Sequence, residues 1–310
     1  MSMTIQYNRF ILTALVMLLA ALAHAQVATQ MARESMKQAE DIRAAKAARE
    51  ARRAMMVDTA TTYYRLVDSS QVFINRQQWP EAEQCLRRAI AAEPENPSNS
   101  LLLSNLATLQ RYQGRYTDAL KNYTLALDLT PNAVTLLLNR AAVYVLTGQT
   151  ELARADYNRV ATIDPNDIES RYSLGMLDVE SLNFDQAEQW FKQVARIKPN
   201  SGLADEGLAT LYKTRGDYAK AIEHLSVVIK SEPNPRLLAN RADCHLMLHQ
   251  LNLAADDIRQ ALEIDPEDPY LYLLRAKLNK LRFNRADTER DINLAVTHGL
   301  DRELIDKMLQ

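Results

Sequence analysis

Residues 103–131 read LSNLATLQRYQGRYTDALKNYTLALDLTP. After Gly114, the side chains Ala119, Tyr123 and Ala126 follow at offsets of four and three, which places them on one face of a helix. Small residues on either side of a large one leave room for a neighbouring helix to come close. Upstream of the glycine lies a second helical pattern. Pro131 then marks a junction, because proline has no N–H to give to a helix interior. The stretch predicts a helix, a tight turn, a second helix and a break.

The same rhythm runs outward in both directions. Pro94, Pro131, Pro165, Pro199, Pro233 and Pro266 are separated by 37, 34, 34, 34 and 33 residues, a period that marks a solenoid. Twelve residues before each comes Ala82, Ala119, Ala153, Ala187, Ala221 or Ala254. Eight before comes a larger side chain: Leu86, Tyr123, Tyr157, Phe191, Leu225 or Ile258. Five before comes Ala89, Ala126, Val160, Val194, Val228 or Ala261.

Leu103, Ala107, Gly114, Tyr116, Ala119, Tyr123, Ala126 and Pro131 stand at the signature spacings of the tetratricopeptide repeat (TPR) family, and the chain resembles a member of it. Extending the register gives seven units: Tyr63 to Asn96, Ser100 to Ala133, Val134 to Asp167, Ile168 to Ser201, Gly202 to Pro235, an overlapping Pro235 to Asp268, and Pro269 to Arg302. Single units depart from the pattern. Thr150 replaces the aromatic after the turn in the third, Asp178 stands where the fifth has Tyr212, His249 replaces the turn glycine in the sixth, and Thr288 and Leu300 take the Ala and Pro positions of the seventh. A terminal repeat has no next neighbour to cover it, so degeneration there is expected. The resemblance implies an all-α fold, a superhelical solenoid of about seven helix-turn-helix units.

Residues 1–25 have one cation, Arg9, then an apolar run from Phe10 to Ala23, then His24 and Ala25. This is the order of a secretory signal peptide, with cleavage expected between Ala25 and Gln26. As a helix the run spans about 21 Å, short of a bilayer core of roughly 30 Å. A cleaved signal is preferred over an uncleaved anchor, and no stable membrane span is expected after cleavage. Residues 26–62 are expected to form an Ala/Arg-rich helix, with opposite pairs such as Glu34 with Lys37 and Glu50 with Arg53. Up to Val57 this segment carries seven cations against four acids, and it reads either as a solvated leader helix or as a basic arm for an acidic partner or a membrane surface. The array then occupies 63–302, and residues 303–310 form a capping segment.

The balance of 37 Lys+Arg against 39 Asp+Glu argues against bulk electrostatic attraction to nucleic acid or to an anionic membrane, which needs a clear basic excess. No Gly precedes Gly114 and no Gly-rich phosphate loop occurs, so no nucleotide site is expected. Cys244, His245 and His249 form the one metal-like cluster, without the glutamate of a zinc-protease helix; His245 falls in the buried position of Tyr144 and Tyr212 and reads as packing. His224 and His298 stand isolated, no nucleophile elbow exists, and acidic residues on repeated helices read as solvated faces. No enzyme activity and no cofactor are expected. Cys85 and Cys244 fall five repeat steps apart; with helices about 8 to 10 Å from one another, a disulfide is out of reach and free thiols are expected.

What remains is a surface. The resemblance implies that the first helix of each unit lines a concave groove holding another protein or a peptide segment. At the sixth position of the units stand Asn105, Asn139 and Asn240, where the family often grips the backbone of an extended ligand. Packing within the repeat is an equal alternative. Ser173, Gly207 and Leu274 interrupt the ladder, and Tyr112, Tyr172, Arg236 and Tyr270 are expected on the same face. The positions of the family's carboxylate clamp hold Leu, Thr, Glu or Ala, which disfavours chaperone tails. The expectation is thus an exported scaffold, in the periplasm of a Gram-negative bacterium, that binds a partner segment. The alternative is a glycan-binding or glycan-enzyme accessory protein; Trp79 and Trp190 sit near turns or in packing positions, which favours the first.

Overall fold

The computed structural model describes residues 40, 43–55, 58, 60–199, 201–231 and 233–309. The expected signal peptide, the cleavage site and the first part of the Ala/Arg-rich segment lie outside the described residues. The chain divides into two compact units, 1–96 and 97–310.

In the first unit residues 40, 43–55 and 58 are helical and exposed. Helix α1 (residues 60–75) follows, and a turn at Gln77 leads into α2 (Trp79–Ala92). Tyr63, Ala82, Leu86 and Ala89 are buried, with Ala82 and Ala89 inaccessible to solvent.

The second unit is an α-solenoid. Its helices form successive hairpins, in each of which a first (A) helix is followed by a second (B) helix: α3 (Asn99–Tyr112) with α4 (Tyr116–Leu129), α5 (Val134–Leu146) with α6 (Thr150–Ile163), α7 (Ile168–Glu180) with α8 (Phe184–Ile197), α9 (Leu203–Arg215) with α10 (Tyr218–Ser231), α11 (Pro235–Met247) with α12 (Leu251–Ile264), and α13 (Pro269–Leu281) with α14 (Arg285–Thr297). A short helix, α15 (Arg302–Leu309), packs on α14. Each B helix also touches the A helix of the next hairpin, so the core is continuous along the stack.

The small-large-small rhythm supplies that core. Ala119, Ala153, Ala187, Ala221 and Ala254 are all at 0% exposure, and Tyr123, Tyr157, Phe191, Leu225 and Ile258 are buried beside them. Every A–B turn uses one left-handed residue. Glycine takes it at Gly114, Gly148 and Gly216, whereas Leu182, His249 and Phe283 take it at φ 59°, 55° and 58°, where a Cβ is costly.

The aspartates depart from the expected solvated faces. Asp156, Asp178, Asp257 and Asp291 are buried at 5%, 2%, 3% and 0% exposure. Three of them meet an arginine sixteen residues earlier: Arg140 with Asp156, Arg241 with Asp257 and Arg275 with Asp291, each through two hydrogen bonds that join the A and B helices of one hairpin. Arg140 and Arg241 also donate to Thr124 and Ser226 on the preceding B helix. Asp178 pairs instead with Arg154 and accepts from the Trp190 indole at 3.0 Å. These carboxylates escape a solvation reading because each has a charged partner supplied by another helix.

Candidate functional site

Where the ladder of sixth positions breaks, packing gives the reason. A Cβ on Gly207 would come within 2.4 Å of the Phe191 ring, and one on Gly175 within 2.6 Å. The two glycines let α7 and α9 close over that ring, and no side chain fits at Gly207. Ser173 meets the hydroxyl of Tyr157. Leu274 is 2% exposed and belongs to the core.

Helix α7 lies along α9, and α11 along α13, but α9 and α11 stand apart. The connection between α10 and α11 is the short stretch 232–234, against 198–202 between α8 and α9. Between α9 and α11 opens a cleft of about 430 Å³, with Leu225 and Leu237 in its floor and Tyr172, Tyr218 and Met247 in its walls. Tyr172, Arg236 and Asn240, three of the residues singled out in the sequence, meet here.

Two ionic bridges cross the cleft. Arg236 pairs with Glu206 at 2.7 Å. Deeper, Lys213 reaches Asp243 at 3.0 Å and donates to the Asn240 amide oxygen at 3.1 Å, and Lys277 approaches Asp243 from α13 at 3.1 Å. Burial works to raise the Asp243 pKa, but Lys213 and Lys277 prevail and hold it below the ordinary carboxylate value. Burial, together with the nearby Glu206 charge, pushes the Tyr172 phenol up, with Arg236 opposing. The cleft therefore offers aromatic walls, an amide and paired charges that an incoming polar chain can share.

The other candidates lie elsewhere. Asn105 and Asn139 are half-buried on α3 and α5, and neither side-chain amide hydrogen-bonds another described residue. Tyr112 is 78% exposed at the end of α3, with the Arg111 guanidinium 5.1 Å from its ring. Tyr270 packs against the core beside Asp243 and Cys244, where burial pushes its phenol up to about 12. Sequence reasoning missed three charged residues here: Lys213, which donates to Asn240, and Asp243 with its second partner Lys277. Asp243 stood within reach of inference, one helical turn after Asn240 on the same face; the lysines come from α9 and α13, whose placement no local pattern carries.

No group of three or more His, Cys, Asp or Glu side chains among the described residues is arranged to hold a metal. His245 is buried, with Nδ1 2.6 Å from Gln250 Oε1 and Nε2 3.8 Å from Asp257, consistent with a packing role. Both cysteines are buried and free. Among the described residues, no helix is long and apolar enough to cross a membrane.

Hairpins stacked in register around a lined cleft define an α-solenoid of the protein-interaction kind. Residues 104–168 and 206–269 match the tetratricopeptide repeat model. A tetratricopeptide repeat protein from Parabacteroides merdae ATCC 43184, known from its crystal structure, is 32% identical over 80% of this chain and 98% of its own, with a TM-score of 0.70. The chain belongs to the tetratricopeptide repeat family, whose members are in general non-enzymatic scaffolds. More distant similarity reaches a tetratricopeptide repeat and J domain-containing co-chaperone, DNJ1, of Cryptococcus neoformans, 24% identical over 61% of this chain and 38% of the relative. It also reaches the mitochondrial import receptor subunit TOM34 of Rattus norvegicus, 28% identical over 61% of this chain and 76% of the relative. The chain thus spans well under half the length of the co-chaperone it matches.

Proposed function

We propose that this protein is an exported scaffold, without catalysis of its own, that holds an extended segment of a partner protein along its A helices, and that the cleft between α9 and α11 is the principal contact. The convergence of Tyr172, Arg236 and Asn240 on one cleft supports this reading most. An extended peptide presents alternating donors and acceptors, and the Asn240 amide has both, with its oxygen already shared with Lys213. Tyr172 and Tyr218 supply rigid faces for an apolar side chain. Asn105 and Asn139, without partners among the described residues, extend the same chemistry toward the start of the unit. The apolar run from Phe10 to Ala23, followed by Ala25, supports export, and with it a periplasmic setting.

Capture of the partner from an envelope extract, followed by calorimetric titration against Tyr172→Ala and Asn240→Ala proteins, tests the proposal. Loss of about 1 kcal/mol or more per substitution is expected. Binding that is unchanged in both, while the proteins remain folded, removes the cleft from the account.

A further inference from the structure

The near balance of charge over the whole chain conceals a segregation. Within the described helical residues 43–55 stand Arg43, Lys46, Arg49, Arg52 and Arg53 against the single acid Glu50, with the exposed acids Glu40 and Asp58 before and after them. All are exposed, and none of the five cations forms an ion pair or hydrogen bond with another described residue. At 3.6 residues per turn the five occupy about half of the helix circumference over a length of about 15 Å. Glu50 falls within the same half, and the opposite half carries Ala44, Ala47, Ala48, Ala51, Ala54 and Met55.

We infer that this helix is an adsorption surface for an anionic lipid bilayer. Five exposed cations, none paired with another described residue, suit an anionic counterpart, and their spread over half a circumference fits a broad sheet of headgroups more than a single acidic side chain. A protein interface of stable affinity is anchored by large side chains seated in pockets. Here the face opposite the cations offers nothing larger than alanine except Met55, so the helix has charge without an anchor, and it rests on headgroups without inserting. Attraction of this kind is screened by salt and indifferent to headgroup stereochemistry.

The test is co-sedimentation of the protein from the exported fraction, its N-terminus first established by sequencing, with vesicles of phosphatidylcholine alone or with a third of phosphatidylglycerol. Binding to the anionic vesicles alone is expected, weakening about tenfold or more as salt is raised to roughly 0.3 M. A variant with Arg43, Lys46, Arg49, Arg52 and Arg53 all changed to Gln is expected to lose that binding while keeping its helical circular dichroism, and a variant with the four arginines changed to Lys to retain it. Equal binding to neutral and anionic vesicles, or a Gln variant that binds like the parent, overturns the inference. So does capture of an acidic protein through this helix by a chain that ignores anionic vesicles.

Discussion

Arg241 and Asp257 face each other across one hairpin, Nε and Nη2 donating to the two carboxylate oxygens at 2.9 and 2.7 Å, in a site where the aspartate is 3% exposed. The same spacing recurs at Arg140 with Asp156 and at Arg275 with Asp291. The pairs fasten the A helix to the B helix where the small-large-small core alone would leave the choice of partner face to apolar packing. Such a pair is costly to break and cheap to replace, since the charge left behind has no water to turn to.

Removing one member should therefore exceed the effect of removing both. Asp257→Ala is expected to destabilise the second unit by roughly 3 kcal/mol or more, whereas Arg241→Met combined with Asp257→Leu is expected to fall within about 1 to 2 kcal/mol of the parent. Urea titrations of the three proteins, followed by circular dichroism, give the comparison.

Acid should act through Asp243. Its folded pKa lies below the ordinary 3.8, held there by Lys213 and Lys277 against the opposing effect of burial. The stabilisation is fully present above the unfolded value, near 3.8, and is lost as pH falls through the lower folded value. Asp243→Asn removes that contribution, so its melting temperature should drop less than the parent's between neutral pH and pH below about 3. An identical slope in both proteins would place the acid sensitivity elsewhere.

The turns and the Gly207 contact give stability changes of opposite sign. Phe283 is 96% exposed and left-handed at φ 58°, so Phe283→Gly should stabilise by about 0.5 to 1 kcal/mol. Gly207→Ala drives a methyl against the Phe191 ring and should cost about 1 to 3 kcal/mol. Thermal melts of the two variants check both signs.

The repeat was legible because its signal is local: Ala153, Tyr157 and Val160 declare a buried face within eight residues. The site was legible in part. Tyr172, Arg236 and Asn240 were placed on one face by register alone, and that suffices to bring them to one cleft. Tyr112 and Tyr270 show the limit of register. The first sits at the exposed end of α3, while the second is drawn into the core beside Asp243 and Cys244. The break at Gly207 depended on the bulk of Phe191, one helix away, and the buried aspartates on arginines sixteen residues earlier. That recurring Arg and Asp spacing was present in the third, sixth and seventh units, but its meaning required knowing that the A and B helices fold back on each other.

The thiols should stay free and slow. Burial pushes the Cys244 thiol up to about 11, so little thiolate forms at neutral pH. Mass spectrometry after alkylation without reductant is expected to show neither cysteine modified in the folded protein and both modified once it is unfolded.

The most direct test of the scaffold account is calorimetric titration of the captured partner segment into the parent protein, Asn240→Ala and Tyr172→Ala, with melting curves of the same three samples. The account expects the dissociation constant to rise about fivefold or more in each variant, with the melting temperature of Asn240→Ala close to the parent's because Asn240 lines the cleft; Tyr172 lines the cleft but also packs on the core, its ring 5.7 Å from that of Phe191, so Tyr172→Ala is expected to lose stability as well as affinity. Unchanged affinity with lowered melting temperatures would contradict it, and would make Asn240 and Tyr172 parts of the packing of the repeat.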